Sequence, residues 1–522
     1  MAGNKNWEPS YRAPGPGCTP IGFAHLVAKY RLDVIGHSVW TFVKNVTTSR
    51  ELVEDGMATR IWPFARHPGP RDVDHLLFAV RHEGPSLPIC RALFAETSAH
   101  HLAGEIIQEV RARPTSAFRR RVWFLWEELT GERLPLPDLD RGNYVPLLDP
   151  LHFVTARAVK HPRQRIDVNL LGSLALSPMV RRTPRIDAAL GRPISAALEH
   201  DLEAVLGLYD ETVMRRALSY LYTRETRASF AIENEQPSRH REERFLALLR
   251  RAPTIEHLDQ DTLVEMQNAT VDPRFADTGW RKTQIYVGET VDLRQERIHY
   301  VGPKPEDVPP LMSAFLELAV ALIDDSGLDA VLVAAVISFL FVLIHPFEDG
   351  NGRLHRWLIH WALARRGVVR RDVVLPVSAV IEARRLEYDL ALESFSRPLV
   401  RRLVWELSED GRMTVEGPTA DFYRHPDLTA MAEALIEWLE QTIQGELRTE
   451  LDFLVRFDRA KRALQETVDM PDRLIELFIK LCRQGRGQLS ARKREAHFAM
   501  LTDEEIERME QAVRGNFGLE CS

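Results

Sequence analysis

Twelve consecutive residues, from His345 to Arg356, carry the side chains and the backbone freedom that phosphate chemistry needs. They read His-Pro-Phe-Glu-Asp-Gly-Asn-Gly-Arg-Leu-His-Arg and directly follow an apolar run, Ala330 to Ile344. Pro346 cannot donate a backbone hydrogen bond, and the two glycines tolerate positive φ, so a helix must end here and a tight loop must follow. We call residues 345–356 the motif segment.

The side chains of the motif segment predict phosphoryl or nucleotidyl transfer. A second helix is expected to start near Asn351 to Arg353, which places glycine amides at a helix N-terminus, a natural anion site. Arg353 and Arg356 lie three residues apart, so both can reach the oxygens of one polyphosphate. Asp349 could hold a divalent cation. His345 is the side chain here that can act as a general base near neutral pH.

The elements around the motif segment are predicted to be mostly helices. The run that precedes it has no charge but is too short to span a bilayer, which indicates a helix buried in the centre of a globular domain. Residues 195–235 read as helices, and helices are also expected over 379–399 and through the last hundred residues. Between Trp280 and Tyr300 the pattern changes to that of a β-hairpin, with strands at Thr283–Gly288 and Ile298–Val301.

Two stretches rich in proline, glycine and polar residues divide the chain, one at Arg181–Pro193 and one at Glu409–Pro418. We therefore predict three parts. These are a mostly helical N-terminal domain of unknown role over 1–190, a catalytic domain over 191–410, and a helical C-terminal region over 411–522.

Composition and charge exclude some classes of function. The 522 residues carry a formal net charge of −7, which makes non-specific attraction to nucleic acid or membranes unlikely as the main activity. The cysteines are scattered and form no Cys-x-x-Cys pair, as expected of free thiols in a reducing cytosol; they are Cys18, Cys90, Cys482 and Cys521. The first residues lack the apolar segment of a signal peptide, so a cytoplasmic protein is predicted.

One basic cluster, Phe118–Trp123, contains three consecutive arginines. It could bind nucleic acid or a phosphorylated partner, but a helix with one basic face and one buried face explains it as well, and we favour the second interpretation. Neither a Gly-x-x-x-x-Gly-Lys-Ser/Thr nor a Gly-x-Gly-x-x-Gly pattern is present, so a P-loop or dinucleotide fold has no support.

The motif segment resembles the pattern His-Pro-Phe-x-Asp/Glu-Gly-Asn-Gly-Arg-x-x-Arg of the Fic family, and every defined position agrees. The related Doc kinases have a lysine in the place of Gly352, so the glycine favours the AMP-transferring subgroup. The resemblance implies a mainly α fold, with a Fic-type helical core and a small β-hairpin flap. It also implies ATP and Mg²⁺ as the nucleotide and the metal ion.

The resemblance also implies a role for each residue of the motif segment. His345 would be the base for the target hydroxyl, Phe347 would anchor the loop in the core, and Asp349 would bind magnesium. The remaining residues would bind phosphates. Gly350, Asn351 and Gly352 would form the anion hole for the α- and β-phosphates, Arg353 would contact the outer phosphates, and Arg356 would hold the γ-phosphate.

Upstream, Ser229-Phe230-Ala231-Ile232-Glu233-Asn234 is similar to the Ser/Thr-x-x-x-Glu-Gly/Asn inhibitory motif of one class of Fic proteins. The resemblance implies an inhibitory helix near 212–235, in which Glu233 pairs with Arg356 and keeps the γ-phosphate from its productive place. A solvated glutamate at a helix end is the simpler alternative.

In Fic proteins a hairpin flap aligns the target segment by strand addition, which asks little of the target sequence because main-chain hydrogen bonds supply the contact. The resemblance implies this role for the flap near 280–301, with Ile285, Tyr286 and Val287 docking the target. A plain edge hairpin is the alternative.

The sequence thus predicts a protein adenylyltransferase, a nucleotidyltransferase that moves AMP from MgATP to a Ser, Thr or Tyr hydroxyl of a target protein or of itself, inhibited by Glu233. Two alternatives stay open: a de-AMPylating hydrolase, or a transferase of another nucleotide, on the same site; and a non-enzymatic regulator that binds protein or DNA. A homo-oligomer is compatible with the sequence.

Overall fold

The computed structural model describes residues 7–54, 56–191, 194–207, 211–292, 295–370 and 372–519. Most of its regular structure is helical and its sheets are small, so the predicted mainly α fold class is confirmed. Within these ranges no helix combines the length and the apolar character needed to cross a membrane. Cys18, Cys90 and Cys482 are free thiols, and Cys521 lies outside the described residues.

The N-terminal region combines helices with a sheet that the sequence analysis did not predict. Its elements are β1 (Thr19–Ile21), α1 (Phe23–Tyr30), β2 (Val39–Lys44), β3 (Arg50–Glu54), β4 (Met57–Pro63), α2 (Asp72–His82), α3 (Leu87–Ala95), α4 (Leu102–Ala112), α5 (Ala117–Thr130), β5 (Val145–Pro146), β6 (Val159–His161), β7 (Ile166–Val168) and α6 (Pro184–Gly191). The four-stranded sheet has the order β1-β2-β4-β3, in which β2 and β4 are parallel. The central residues of β2 are all buried, so this strand lacks the alternation of apolar and polar residues that would have identified it.

The middle of the chain surrounds one fully buried helix. Its elements are α7 (Ile194–Leu206), α8 (Glu211–Ile232), α9 (Arg239–Arg251), α10 (Gln260–Thr270), β8 (Tyr286–Asp292), β9 (Gln295–Val301), α11 (Val308–Asp324), α12 (Ala330–Ile344), α13 (Asn351–Arg365), α14 (Val377–Ala383) and α15 (Arg385–Arg402). Every residue of α12 is buried. Asp329 caps its first turn by accepting a hydrogen bond from the Val331 amide at 2.8 Å. Because α12 is enclosed on all sides, the position of the loop after Ile344 is fixed.

The C-terminal part contributes to two different cores. Its elements are β10 (Trp405–Leu407), β11 (Met413–Val415), α16 (Ala420–Arg424), α17 (Thr429–Gln441), a π-helical turn at Thr442–Leu447, α18 (Arg448–Thr467), α19 (Asp472–Gln484), α20 (Ala491–His497) and α21 (Asp503–Phe517). Trp438 of α17 belongs to the same apolar core as α12, whereas α18, α19 and α21 enclose a separate small core around Phe478. The boundaries near 190 and 410 stay predictions.

Candidate functional site

His345 is held at the C-terminal end of α12 in an orientation that leaves one ring nitrogen without a hydrogen bond in the described part of the chain. Its backbone is left-handed, with φ of 53°, and its amide donates to the Phe341 carbonyl. The Nδ1 atom lies 3.1 Å from the Val342 carbonyl oxygen. Because a carbonyl can only accept, Nδ1 carries the proton and Nε2 keeps its lone pair. Burial lowers the pKa of His345 to about 4, so the imidazole is neutral at pH 7 and able to accept a proton.

The loop after His345 is closed by the side chain of Asn351. Its Oδ1 atom accepts from the Phe347 amide at 3.0 Å, and its Nδ2 atom donates to the Phe347 carbonyl at 2.8 Å. Phe347 itself has no exposed surface and packs against Trp280 and Phe341, with ring centroids 5.4 and 6.4 Å away. Since the Asn351 amide group is used inside the loop, only its backbone N–H remains for an anion.

The N-terminus of α13 offers backbone N–H groups. Gly350 precedes it with φ of 86°, and its own amide donates to Asp349 Oδ1 at 2.5 Å. The next three amides, of residues 351–353, have no acceptor in the described part of the chain, which is the arrangement that binds anions. A Cβ atom on Gly352 would lie only 2.2 Å from Glu233 Oε1. The Glu233 carboxylate therefore lies directly against this first turn of α13.

Arg356 joins α13 to the end of α8. It has no exposed surface, its Nε atom donates to Ser229 Oγ at 2.9 Å, and its Nη2 atom donates to Ser229 O at 2.7 Å and to Glu233 Oε1 at 2.8 Å. The ion pair that the family resemblance implied is thus present. Its Nη1 atom is buried without a partner in the described residues, so one donor of the guanidinium remains for a phosphate oxygen.

Glu233 is not the fully solvated glutamate of the simpler alternative, although a third of its side chain, 34%, is exposed. Helix α8 ends at Ile232, three residues before the predicted end of the inhibitory helix, and the Glu233 amide donates to the Phe230 carbonyl at 3.0 Å. Burial alone would raise the pKa of Glu233, but the charge of Arg356 and its hydrogen bond hold that pKa below the usual value. The carboxylate is therefore charged at pH 7.

Arg353 is also buried, with 1% exposed, and two carboxylates bind it. Its Nη2 atom lies 2.8 Å from Asp349 Oδ1, and its Nη1 atom lies 3.2 Å from Glu235 Oε2 and 3.0 Å from the Thr270 carbonyl. Both contacts of Asp349 use Oδ1, which leaves Oδ2 open to a cation. In the described ranges no cluster of three His, Cys, Asp or Glu side chains could hold a metal ion. A magnesium ion at Asp349 would therefore need nucleotide oxygens as further ligands, as Mg²⁺ sites commonly have.

The predicted hairpin is present, but its first strand begins later than expected. Strand β8 starts at Tyr286 and pairs antiparallel with β9, so Ile285 precedes the strand instead of lying within it. The reason is that the preceding residues contact the motif segment: the Arg281 amide donates to the Pro346 carbonyl at 2.8 Å, and Thr283 Oγ1 donates to Glu348 Oε2 at 2.5 Å. Within β8, Tyr286 donates from its hydroxyl to Glu296 at 3.1 Å, and Val287 is 46% exposed.

Sequence reasoning missed the residues that hold the loop from outside. Arg281 is 3% exposed, and its Nε atom donates to the His345 carbonyl at 2.8 Å. Gln267 donates to the Asp349 carbonyl at 3.2 Å, and Glu235 binds Arg353. These residues lie 64 to 118 positions from their partners, and no local pattern marks them, so no signal in the single sequence could have identified them.

The comparison with protein families agrees with this geometry. A family model described as "Fic/DOC family" matches residues 257–363. Among curated proteins, the chain is similar to "Protein adenylyltransferase fic-1" of Caenorhabditis elegans, with 33% identity over 127 residues, 23% of this chain and 21% of the relative. It is also similar to "Protein adenylyltransferase Fic" of Drosophila grimshawi, with 35% identity over 126 residues, 23% of this chain and 22% of the relative.

The chain thus spans only about a fifth of the length of these curated relatives. Among solved structures, a Fic family protein from Desulfovibrio desulfuricans aligns with 63% of this chain and 85% of its own, at 16% identity and a TM-score of 0.34. The family match encloses the whole motif segment, from His345 to Arg356. Residues 257–363 of the chain therefore form a domain of the Fic/DOC family.

Proposed function

We propose that the protein is an adenylyltransferase that moves AMP from MgATP to a hydroxyl of Ser, Thr or Tyr on a target protein or on itself. One observation carries the proposal. A neutral His345 with a free Nε2 atom lies in the same short segment as the unpaired amides of residues 351–353. This arrangement offers a base for a hydroxyl and a site for phosphates next to each other.

In the proposed reaction, His345 Nε2 takes the proton of the target hydroxyl as its oxygen forms a bond to the α-phosphorus. The bond from the α-phosphorus to the bridging oxygen of the β-phosphate breaks, and pyrophosphate leaves with the electron pair. The amides of residues 351–353 and the guanidinium groups of Arg353 and Arg356 stabilise the charge that develops on the phosphate oxygens. Magnesium bound at Asp349 would neutralise part of the same charge.

Glu233 is proposed as the brake on this reaction. Its carboxylate occupies Nη2 of Arg356 at 2.8 Å and lies against Gly352. A γ-phosphate cannot bind Arg356 through the same atom while the carboxylate is there, and the two anions would repel each other. The support is the ion pair itself, and release of the carboxylate is the step that would permit productive ATP binding.

The flap is proposed to dock the target. Val287 is 46% exposed on β8, in a sheet that has two strands, β8 and β9, within the described residues. An extended segment of a target could pair with a strand edge through backbone hydrogen bonds, which would bring its hydroxyl towards His345.

The test is transfer of label from α-³²P-ATP in the presence of Mg²⁺ to proteins of a cell lysate. Glu233→Ala should gain labelling over the wild type, and Glu233→Ala with His345→Ala should lose it. Glu242→Ala is the matched control, because Glu242 of α9 forms an ion pair with Arg227 of α8 at 2.7 Å and, in the described residues, has no hydrogen bond or ion pair with the motif segment. Equal labelling by Glu233→Ala and Glu242→Ala would refute the brake, and labelling that survives His345→Ala would refute the base.

Removal of AMP from a modified protein is a second candidate for the same site. The observation that favours it is the charged, partly exposed Glu233 carboxylate beside the anion site, since such a group can accept a hydrogen bond from an attacking water. A pre-labelled target distinguishes the two. A hydrolase should release AMP with wild-type protein and lose this activity in Glu233→Ala, whereas an inhibited transferase should release none in either form.

A further inference from the structure

A cavity with a volume of about 350 Å³, separate from the motif segment, lies at the junction of the N-terminal sheet and the C-terminal third of the chain. Val39 of β2 and Ala58 of β4 line one side, and Phe118 of α5 lines another. A third wall contains Met179, whose amide donates to the Pro426 carbonyl at 2.8 Å. The volume of the cavity is that of a small-molecule pocket, and no residue of the motif segment lines the cavity.

The walls of this cavity carry more cationic than anionic side chains. The arginines that line it are Arg60, Arg81, Arg121, Arg181 and Arg182, and the carboxylates are Glu83, Asp149 and Asp427. Three of the arginines already have ion pairs: Arg60 with Glu51 at 2.6 Å, Arg181 with Asp427 at 2.9 Å, and Arg182 with Asp187 at 2.5 Å. In the described ranges the other two, Arg81 and Arg121, have no carboxylate within ion-pair distance.

Arg121 is the unusual member, because only 9% of it is exposed. Its Nε atom donates to the Pro146 carbonyl at 2.8 Å, and its Cζ atom lies 5.8 Å from the centroid of the Phe118 ring. The Arg81 Cζ atom lies 5.6 Å from the same centroid. The Asp149 carboxylate of the same cavity acts on Arg121 only from beyond ion-pair distance. Burial of this guanidinium is therefore costly, and an anion bound next to it in the cavity would offset that cost.

The two arginines before Arg121 show what an ordinary structural role looks like in the same helix. Arg119 pairs with Glu109 at 2.6 Å, and Arg120 donates to the Asn143 carbonyl at 2.8 Å. Neither lines the cavity. Of the three consecutive arginines in this basic cluster, Arg121 alone combines burial, the absence of a carboxylate partner in the described residues, and a place in the cavity wall.

One further residue of the cavity lining has a hydrogen-bond acceptor that is unpaired in the described residues. His425 is 2% exposed, and its Nδ1 atom lies 3.2 Å from the Ser177 carbonyl oxygen. Because the carbonyl accepts, Nδ1 carries the proton and Nε2 is left as an acceptor. That Nε2 atom is buried without a partner in the described part of the chain. The cavity lining therefore includes two guanidinium groups that have no ion pair in the described residues, and a histidine whose Nε2 atom is an unused acceptor there.

We propose that this cavity binds a small organic anion. Arg81 and Arg121 would hold its phosphate or carboxylate group, an apolar body would lie beside Phe118, and a hydroxyl or amino group would donate to His425. Guanidinium groups bind the paired oxygens of phosphate and of carboxylate by the same geometry. The proposal is independent of the adenylyltransferase function.

Isothermal titration of the full chain with phenyl phosphate, phenylacetate and benzyl alcohol tests the proposal. The three probes share a ring and differ in carrying a phosphate, a carboxylate or no charge. We expect at least one of the two anions, phenyl phosphate or phenylacetate, to bind the wild type, and we expect benzyl alcohol not to bind. Arg121→Gln should weaken the binding of that anion on the order of tenfold, since a charge-assisted hydrogen bond is lost. Arg119→Gln, on the same helix, should leave the binding unchanged.

Ala58→Phe provides a second variant, because it fills the cavity from β4 and leaves Arg121 in place. It should abolish binding of the anion, and it tests whether the anion binds in this cavity even if Arg121→Gln does not fold. Binding at the motif segment does not confuse the comparison, since none of these variants touches it. Three results would each overturn the proposal. The first is that neither anion gives binding heat at millimolar concentration. The others are that Arg119→Gln and Arg121→Gln weaken binding equally, or that Ala58→Phe binds the anion as well as the wild type does.

Discussion

Replacement of Glu233 by alanine should loosen the end of α8 in the free protein and tighten the binding of MgATP. Two of the three hydrogen bonds that the Arg356 guanidinium donates in the described residues, those to Ser229 Oγ and Ser229 O at 2.9 and 2.7 Å, remain in this variant. The contact that is lost is the 2.8 Å hydrogen bond to Glu233. The buried Arg356 therefore loses its carboxylate but not all its hydrogen bonds.

The size of the effect follows from the burial of the two partners. A hydrogen bond to a charged group contributes about 1.5–3 kcal/mol. Arg356 has no exposed side-chain surface, but 34% of the Glu233 side chain is exposed, so solvent screening reduces the contribution towards that of a surface pair. We expect the free energy of local opening at the end of α8 to fall by about 1–2 kcal/mol, which is a factor of about 5–30 in the opening equilibrium.

Hydrogen exchange followed by mass spectrometry measures this opening in peptides that cover residues 226–234. The Glu242→Ala control removes an ion pair to Arg227, whose side chain is 67% exposed, so it should change exchange by less than about fivefold. With saturating MgATP, the γ-phosphate should replace the carboxylate at Arg356, and protection should rise more in Glu233→Ala than in the wild type.

Two results would refute this reasoning. If exchange in residues 226–234 is the same in Glu233→Ala as in Glu242→Ala, the ion pair does not stabilise the end of α8. If MgATP protects the wild type and Glu233→Ala equally, the carboxylate does not compete with the nucleotide.

Three further predictions concern the neighbouring residues. Because the pKa of His345 is lowered to about 4 and the base acts in its neutral form, labelling by Glu233→Ala should stay level from about pH 8 to about pH 5 and fall only below that; a fall centred near pH 6.5 would contradict this. Phe347→Ala removes a ring with no exposed surface and should lower the free energy of unfolding by about 3–5 kcal/mol in urea denaturation, whereas Phe347→Leu should cost clearly less. Glu225→Ala removes the acceptor of His360 Nε2 and of the Ser378 amide, both at 2.8 Å, and should destabilise by about 3–5 kcal/mol; a change below about 1 kcal/mol would show that this buried pair holds nothing in place.

Local features of the fold could be predicted because local chemistry decides them. The apolar run and Pro346 identified the end of α12 at Ile344, and the helix after the loop begins at Asn351, within the predicted range of Asn351 to Arg353. The hairpin was predicted from its strand pattern, but its first strand was placed too early. Thr283 has strand-forming character, yet its side chain and amide bind Glu348 of the motif segment, a contact that no local pattern contains.

The N-terminal sheet was missed for a related reason. Strand β2 is buried on both faces, so its sequence has no period of two, and its parallel partner β4 follows only after β3. Pairing between strands that are not neighbours in the sequence depends on the packing of the surrounding helices.

By itself, the sequence determined the kind of chemistry that the motif segment offers: a base, two arginines, a carboxylate and amides at a helix N-terminus. These follow from residue types at fixed spacing, which is a local property of the chain. Tertiary structure decided what each group contacts. Only the fold brings Glu233 against Gly352 and Glu235 to Arg353. It also orients His345 so that Nδ1 carries the proton, and it places Arg121 beside a cavity without an ion pair in the described residues. Those properties depend on burial and on contacts between residues far apart in the chain, and a single sequence does not record such distances.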